Sequence, residues 1–288
     1  MKPAAFGYFR PSSLEEALQQ LAACGETAKV IAGGQSLGPM LNMRLATPSD
    51  LIDLNDLTEL AYIRDVGDAL EIGALTRHHQ IAESKLVQVR CPLLAQAAKT
   101  IGHYAIRQRG TIGGSLAHAD PAAQLPLIAA TLEAKIEIAG CGGQRSLPAS
   151  AFFQSVMATA LAPDEIIRCV FFPKADLREG SSFQMFNRRH GDYAIVAAAA
   201  TVALDGERVA RVRVGLSGVS AVARAWEEIV RPFAGRIADA AWPAQVALAL
   251  REAVSPEDDQ RVSAVYRKEL TQALVERALV RALGRAKG

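Results

Sequence analysis

Two short stretches carry residue types suited to gripping an anion: VIAGGQS, from Val30 to Ser36, and GTIGGSLAHAD, from Gly110 to Asp120. Each sets a glycine pair behind a short apolar run, with a small hydroxyl residue at the far edge of the turn, Ser36 in the first and Ser115, with Thr111 ahead of the pair, in the second. A glycine pair removes two side chains, allows positive φ and leaves backbone N–H groups free to close on something bulky and anionic. Two such turns, far apart in sequence, suit one long diphosphate-bearing ligand held without a full positive charge. The plainer alternative is a pair of structural turns. A Rossmann fingerprint fails in GGQSLG because Gln35 stands where the second glycine belongs, even though Asp53 follows about twenty residues on. A Walker loop fails too, since no Gly-Lys-Ser/Thr follows.

Other chemistry is sparse. Cys24, Cys91, Cys141 and Cys169 stand singly, without the C-x-x-C spacing of a zinc site or an iron–sulfur cluster, and read as reduced thiols. His78 and His79 are adjacent, so a helix would point them apart, and no H-E-x-x-H occurs. The reading assigns no metal ligands and no catalytic residues.

The elements that must position the glycine turns follow from periodicity. PSSLEEALQQLAA predicts a helix capped by Ser12 or Ser13, with Glu15 or Glu16 closing the cap and Leu14, Leu18 and Leu21 on one face. AKVIA predicts a strand feeding the first turn, and DLIDL and ALEIGAL two more, with Thr76 as the cap of a helix through RHHQIAES. Pro92 opens a helix that stops by Gly102. After the second turn the pattern predicts a helix in AQLPLIAATLEA, strands in KIEIA and EIIRCVFF, and a turn at GCGGQ. The polar run PKADLREGSS marks a domain boundary. Beyond it come strand-like SFQMFNRR and RVARVRVGLSGV, and helical stretches around Ala238 to Val254 and Ser263 to Ala286. YAIVAAAATVAL between them reads as a buried strand or a buried helix. Helices interleaved with short strands imply an α+β fold.

With 288 residues the chain has room for two compact units, and 50% apolar with 22% charged residues makes it globular. Its 32 lysines and arginines nearly balance 30 acidic residues, so a net charge of +2 gives no case for nucleic acid or an anionic membrane surface. The opening MKPAAFGYFRPSS has no signal-peptide core, and the most apolar run is shorter than the roughly 20 residues of a membrane span. The expectation is a cytoplasmic protein without membrane insertion.

KVIAGGQSLGPML and IRQRGTIGGSLAHADPAAQLP, with FGYFRPSSLEEAL at the start and YRKELTQALVERAL near the end, resemble the FAD-binding medium subunit of the molybdenum hydroxylases, the xanthine dehydrogenase and carbon monoxide dehydrogenase family. The resemblance covers almost the whole chain. It implies an FAD-binding fold of the vanillyl-alcohol oxidase-like (PCMH) type over residues 1–176, with subdomains of about 1–56 and 57–176. A C-terminal α+β domain of the carbon monoxide dehydrogenase flavoprotein type would span 177–288. Carried over by motif position, Ala32, Gly33, Gly34, Gln35 and Ser36, with Thr111, Ile112, Gly113, Gly114 and Ser115, would wrap the diphosphate and ribityl chain. Lys29, Val30, Ile31 and Leu37 would extend the first contact. Ile101 and Tyr193 match positions near the isoalloxazine, Ile167 and Gln184 match contacts further along, and Asp120 and Gln124 complete the set. Asp120 also reads as a turn-capping aspartate before Pro121. The family often has histidine at Gln35, asparagine at Ser115, an acidic residue at Gln124 and a lysine near Gln184, so this pocket carries more neutral polar groups.

The implied function is electron transfer. FAD would receive electrons from a substrate oxidised at a molybdenum centre on a large subunit, by way of two-iron two-sulfur clusters on a small subunit, and pass them to an external acceptor. The molybdopterin cofactor would belong to the large partner, and the assembly would be a dimer of three-chain units. The substrate would be chosen on the molybdenum-bearing chain. A rival reading is a self-sufficient FAD oxidase, for which His103, His118 and His190 are the imidazoles on plausible loops; a third is a non-catalytic dinucleotide-binding module.

Overall fold

The computed structural model describes residues 1–176, 178–260 and 262–287. The expected boundary residue Leu177 and the terminal Gly288 lie outside them. The chain begins with β1 (Gly7–Phe9), α1 (Leu14–Cys24), β2 (Lys29–Ile31), α2 (Leu37–Asn42) and β3 (Asp50–Asp53), whose strands form a parallel sheet in the order β1-β3-β2. The cap expected at Ser13 is present: its hydroxyl accepts from the Glu16 N–H at 3.1 Å, and the Glu16 carboxylate accepts from the Ser12 N–H at 2.7 Å. Leu18 and Leu21 of α1 pack with Ile52 and Leu54. The loop from β2 to α2, which is the first glycine turn, is thereby fixed at the end of a half-buried strand paired with β3.

A 3-10 turn (Thr58–Leu60) leads into the middle unit: β4 (Ile63–Val66), β5 (Ala69–Gly73), α3 (His78–Glu83), α4 (Lys85–Arg90), α5 (Pro92–Lys99), α6 (Tyr104–Arg109), α7 (Ile112–His118) and α8 (Gln124–Thr131). β6 (Lys135–Gly140), β7 (Gly143–Pro148), α9 (Ala149–Phe152), the ribbon β8 (Phe153–Ser155) with β9 (Ala158–Thr159), and β10 (Ile166–Pro173) follow. Five strands pair antiparallel in the order β4-β5-β10-β6-β7. Thr76 does not cap α3 as expected. Its hydroxyl donates to the Tyr62 carbonyl at 2.9 Å, and the Gln80 side chain accepts from the Arg77 N–H at 2.8 Å instead. The second glycine stretch also departs from expectation, since Gly113 and Gly114 lie inside the first turn of α7.

The C-terminal unit comprises β11 (Glu179–Phe186), β12 (Val196–Asp205), β13 (Arg208–Ser217), β14 (Arg224–Ala225), α10 (Glu227–Val230), a 3-10 turn (Arg231–Phe233), α11 (Trp242–Ala253) and α12 (Ala264–Lys287). Its four strands pair antiparallel in sequence order. The ambiguous alanine-rich run is the strand β12. Ala197 and Ala199 face the core built by α5 and α8, while Val196, Ala198, Ala200 and Val202 face α11 and α12. A strand covered on both faces loses the polar alternation that normally marks a sheet, which is why the sequence left it open. Small residues let the helices approach: a Cβ at Gly180 would stand 2.6 Å from the Ala286 backbone nitrogen, and one at Gly215 2.9 Å from Leu127.

Arg267 of α12 locks this unit. One of its guanidinium nitrogens donates to the carbonyls of Ile195 and Gly218, each at 2.7 Å, and the other reaches Asp259 at 2.5 Å. Gly218 in turn donates its N–H to Pro121 of the middle unit at 3.1 Å. Arg267→Met strands two carbonyls at a half-buried seam, so denaturant unfolding of this variant is expected to show about 2 kcal/mol less stability. A loss under about 0.5 kcal/mol would place the lock elsewhere.

Candidate functional site

A cavity of about 750 Å³ opens between the N-terminal and middle units and reaches the loop before β12. Both glycine stretches line it, and they touch each other. A Cβ at Gly33 would collide with the Arg109 carbonyl and stand 2.8 Å from the Gly110 Cα, so only glycine lets the two chains meet here. Gly34 has φ of 68°, and the Gly38 N–H closes the turn onto the Gly34 carbonyl at 2.9 Å. Gln35 turns inward on its own loop, its amide donating to the Gly33 carbonyl at 2.8 Å. Among the described residues the N–H groups of Gly33, Gly34, Gln35 and Ser36 donate to no protein acceptor. Four consecutive free donors along a tight turn make an anion-binding concavity.

The second stretch does something different. The Ile112 N–H donates to Thr76 at 3.1 Å, the Gly113 N–H to Ala74 at 2.8 Å, and the Gly114 N–H to the Thr111 hydroxyl at 3.1 Å. Its backbone donors are spent on docking α7, so the expectation of a second set of free N–H groups is corrected. A Cβ at Gly113 would stand 2.7 Å from the Ala74 Cβ, whereas one at Gly114 would meet only the Thr111 hydroxyl, at 2.9 Å. Gly113 permits close packing; Gly114 is exposed on the cavity wall. Neither has the positive φ that Gly34 needs.

Side chains that sequence reasoning passed over tie the stretches together. The Asn55 amide donates to the Ala32 carbonyl at 2.8 Å, and the Asn55 side-chain oxygen accepts from Arg77 at 2.7 Å. Arg77 reaches on to the Arg109 carbonyl. Burial lowers the Arg77 pKa, and the neighbouring Arg109 lowers it further. His78, beside it, is 6% exposed, and its Nε2 lies 2.9 Å from the Thr111 carbonyl. Burial drives its pKa down to about 4, so the neutral ring donates through Nε2 while Nδ1 has no partner. The sequence offered one signal for this pair, a polar RHHQ run directly after a strand.

Most expected site residues converge. Lys29, Val30, Ile31, Ala32, Gly33, Gly34, Gln35, Ser36 and Leu37 lie on the cavity wall, as do Thr111, Gly113, Gly114, Ser115, Ile101, Gln124, Ile167 and Tyr193. Tyr193 stands by the Ser36 hydroxyl; desolvation first and the Asp120 charge second raise its pKa, against the Ser36 hydrogen bond. Three residues lie off the wall. Ile112 is fully buried in the core, Asp120 accepts from the Ala122 N–H at 2.8 Å as a turn cap, and the Gln184 amide donates to Ser182 and Phe183 on β11. Of the histidines expected on loops, His118 instead ends α7 and lines the cavity, and His103 and His190 pair with ring centroids 5.3 Å apart.

Lys29 is the one lysine or arginine on the wall among the described residues, against Glu26, Glu165 and Asp192. An anion here depends on backbone donors. Four free N–H groups, glycines that a Cβ would displace and an elongated cavity of dinucleotide size fit FAD.

This combination defines a flavoprotein of the dinucleotide-clamping class. Residues 4–175 match the family described as the FAD binding domain in molybdopterin dehydrogenase, and residues 181–282 match the CO dehydrogenase flavoprotein C-terminal domain. The chain is 40% identical over 288 residues to the 6-hydroxypseudooxynicotine dehydrogenase complex subunit alpha of Paenarthrobacter nicotinovorans, covering 100% of this chain and 97% of that one. It is 35% identical to the carbon monoxide dehydrogenase medium chain of Afipia carboxidovorans, covering 100% of both. The structure superposes on carbon monoxide dehydrogenase from Hydrogenophaga pseudoflava with a TM-score of 0.96 at 35% identity over 99% of each chain. The chain belongs to the family of FAD-binding medium subunits of the molybdenum hydroxylases.

Gly33→Ala is expected to force the glycine stretches apart and to cut the FAD recovered with the purified chain at least about tenfold, with far-UV circular dichroism unchanged. Full flavin content would show that the contact is dispensable. A second expectation concerns acid. The unfolded imidazole of His78 protonates near 6.5 and the folded one near about 4, so between these values the unfolded chain binds more protons and acid favours it. Stability present above pH 6.5 should fall by about 3 kcal/mol towards pH 4, and His78→Gln should flatten that slope. Equal slopes in parent and variant would sink it.

Proposed function

We propose that this chain is the FAD-carrying electron relay of a molybdenum hydroxylase complex, taking electrons from a substrate oxidised on a partner chain and handing them to an external acceptor. The observation that carries the reading is the first glycine turn, whose residues carry four free N–H groups and line a cavity almost without cationic side chains. FAD, when bound, supplies acceptance of an electron pair and release in single steps. The protein's own part is to bind and orient. The turn from Gly33 to Ser36 holds the diphosphate, Thr111 and Ser115 offer hydroxyls to the ribityl chain, Ile101 and Tyr193 flank the ring, and Ile167 makes contact further along the pocket. Gln124, 4% exposed and uncharged, leaves the ring end without a fixed charge there, so Coulomb tuning of the flavin falls to more distant groups. Asp120 and Gln184 act at one remove, through the Tyr193 environment and the β11 surface.

The self-sufficient oxidase reading loses ground because the relatives are named as a complex subunit and a medium chain. We assign residues 1–176 to the FAD-binding domain, in subdomains of about 1–56 and 57–176, and 177–288 to the C-terminal domain. We assign as partners an iron–sulfur small subunit and a molybdenum-binding large subunit in a cytoplasmic dimer of heterotrimers. Among the described residues no helix is long and apolar enough to cross a membrane.

The test is anaerobic reduction. The FAD-loaded chain alone is mixed with candidate substrates while flavin absorbance is followed, and the mixing is repeated with the reconstituted complex. Bleaching is expected only in the complex. Equal rates in the isolated chain would overturn the relay and restore the oxidase.

A further inference from the structure

The segment from the β8–β9 ribbon to β10 lines the cavity with Met157, Leu161, Ala162 and Pro163. Ile166 at its end packs with Leu21, Ala28 and Leu54, on the α1 and β2 side, whereas Ile101 joins the helical core. Met157, at the ribbon tip, is held at φ of 54°, which a side chain of its kind seldom adopts. One ion pair fixes this segment at three points. Arg145 of β7 donates from Nε to Glu165 Oε1 at 2.7 Å, from Nη2 to Glu165 Oε2 at 2.6 Å, and from Nη2 to the Ala160 carbonyl at 2.5 Å. Glu165 Oε2 also accepts from the Ala162 N–H at 2.8 Å. A bidentate arginine–carboxylate pair adds geometric precision to its energy. The Arg145 hydrogen bonds first, with help from the Ala162 N–H, keep the Glu165 carboxyl below its ordinary range, so the pair stays charged at neutral pH.

We propose that Arg145 and Glu165 are positioning residues that set this apolar segment as the wall for the adenosine half of the dinucleotide, and thereby make the site prefer FAD to FMN. This rests on the FAD reading above. With the diphosphate on the first glycine turn and the flavin ring towards Ile101 and Tyr193, the adenosine falls on the α1 and β2 side. There the wall offers a purine apolar contact from Met157, Leu161 and Pro163 beside the carboxylates Glu26 and Glu165, and among the described residues no arginine or lysine beyond Lys29. The clamp holds the backbone at Ala160 and Ala162, and its Glu165 end also lies on the wall.

The test uses the full chain stripped of flavin and titrated separately with FAD, FMN and ADP, the last probing the adenosine half alone. Arg145→Ala is expected to raise the dissociation constants for FAD and ADP about tenfold, the weight of one charge-assisted hydrogen bond, and that for FMN less than about twofold. Arg145→Lys, which keeps charge but not the bidentate geometry, should fall between. Equal weakening of all three ligands, or of none, overturns the proposal. If Arg145→Ala does not fold by circular dichroism, Glu165→Gln is read by the same three titrations, with a smaller loss in the same order. A parent chain that takes up no FAD overturns the FAD reading itself, a different outcome from FAD uptake that ignores Arg145.

Discussion

The backbone of Gly33 lies directly against the backbone of Arg109 and Gly110, with no room for a side chain between them. That contact joins two segments from different units of the fold, and everything useful about the cavity depends on it. It brings the first turn, with its four free donors, and the exposed Gly114 to the wall of one cavity. It also needs support, because two polypeptide segments packed through carbonyl oxygens repel unless donors intervene. Arg77 and Asn55 supply those donors, to the carbonyls of Arg109 and Ala32. His78 does the same at Thr111, and stays neutral because it is buried.

The two glycine stretches look alike in sequence and divide the work. The first keeps its N–H groups free and spends its glycines on positive φ and backbone contact. The second spends its N–H groups on seating α7 against the end of β5 and keeps its glycines for packing and for an open wall. One stretch binds while the other positions. A site with a single cation on its wall holds an anion by preorganised backbone dipoles, which cost no reorganisation when the ligand arrives.

The C-terminal unit is built to approach closely on both faces. Its alanine strand β12 is sandwiched between helices, and Gly180 and Gly215 remove the side chains that would hold α12 and α8 off. Arg267 and Gly218 fasten its edge to the middle unit beside Ile195, two residues beyond Tyr193.

The sequence by itself determined the elements whose signals are local. The Ser13 cap, Pro92 at a helix start, the strands before and after the first glycine turn, and the two C-terminal helices are all read from neighbours a few residues apart. It also determined the family, because two glycine stretches at that separation, with their flanks, are rarely found together, and most of the site residues expected from it lie on the cavity wall. Tertiary structure decided what spacing cannot encode. Only the fold shows that the N–H groups of Ile112 and Gly113 are consumed by Thr76 and Ala74, that Thr76 serves Tyr62 rather than α3, and that Ile112 points into the core. Only the fold turns Arg77, Asn55, His78 and Arg145 from scattered polar residues into braces, since each acts on a carbonyl or carboxylate distant in sequence. The alanine run could not be assigned from its pattern because burial on both faces erases alternation, and the helices that bury it come from the middle unit on one face and the C-terminal unit on the other.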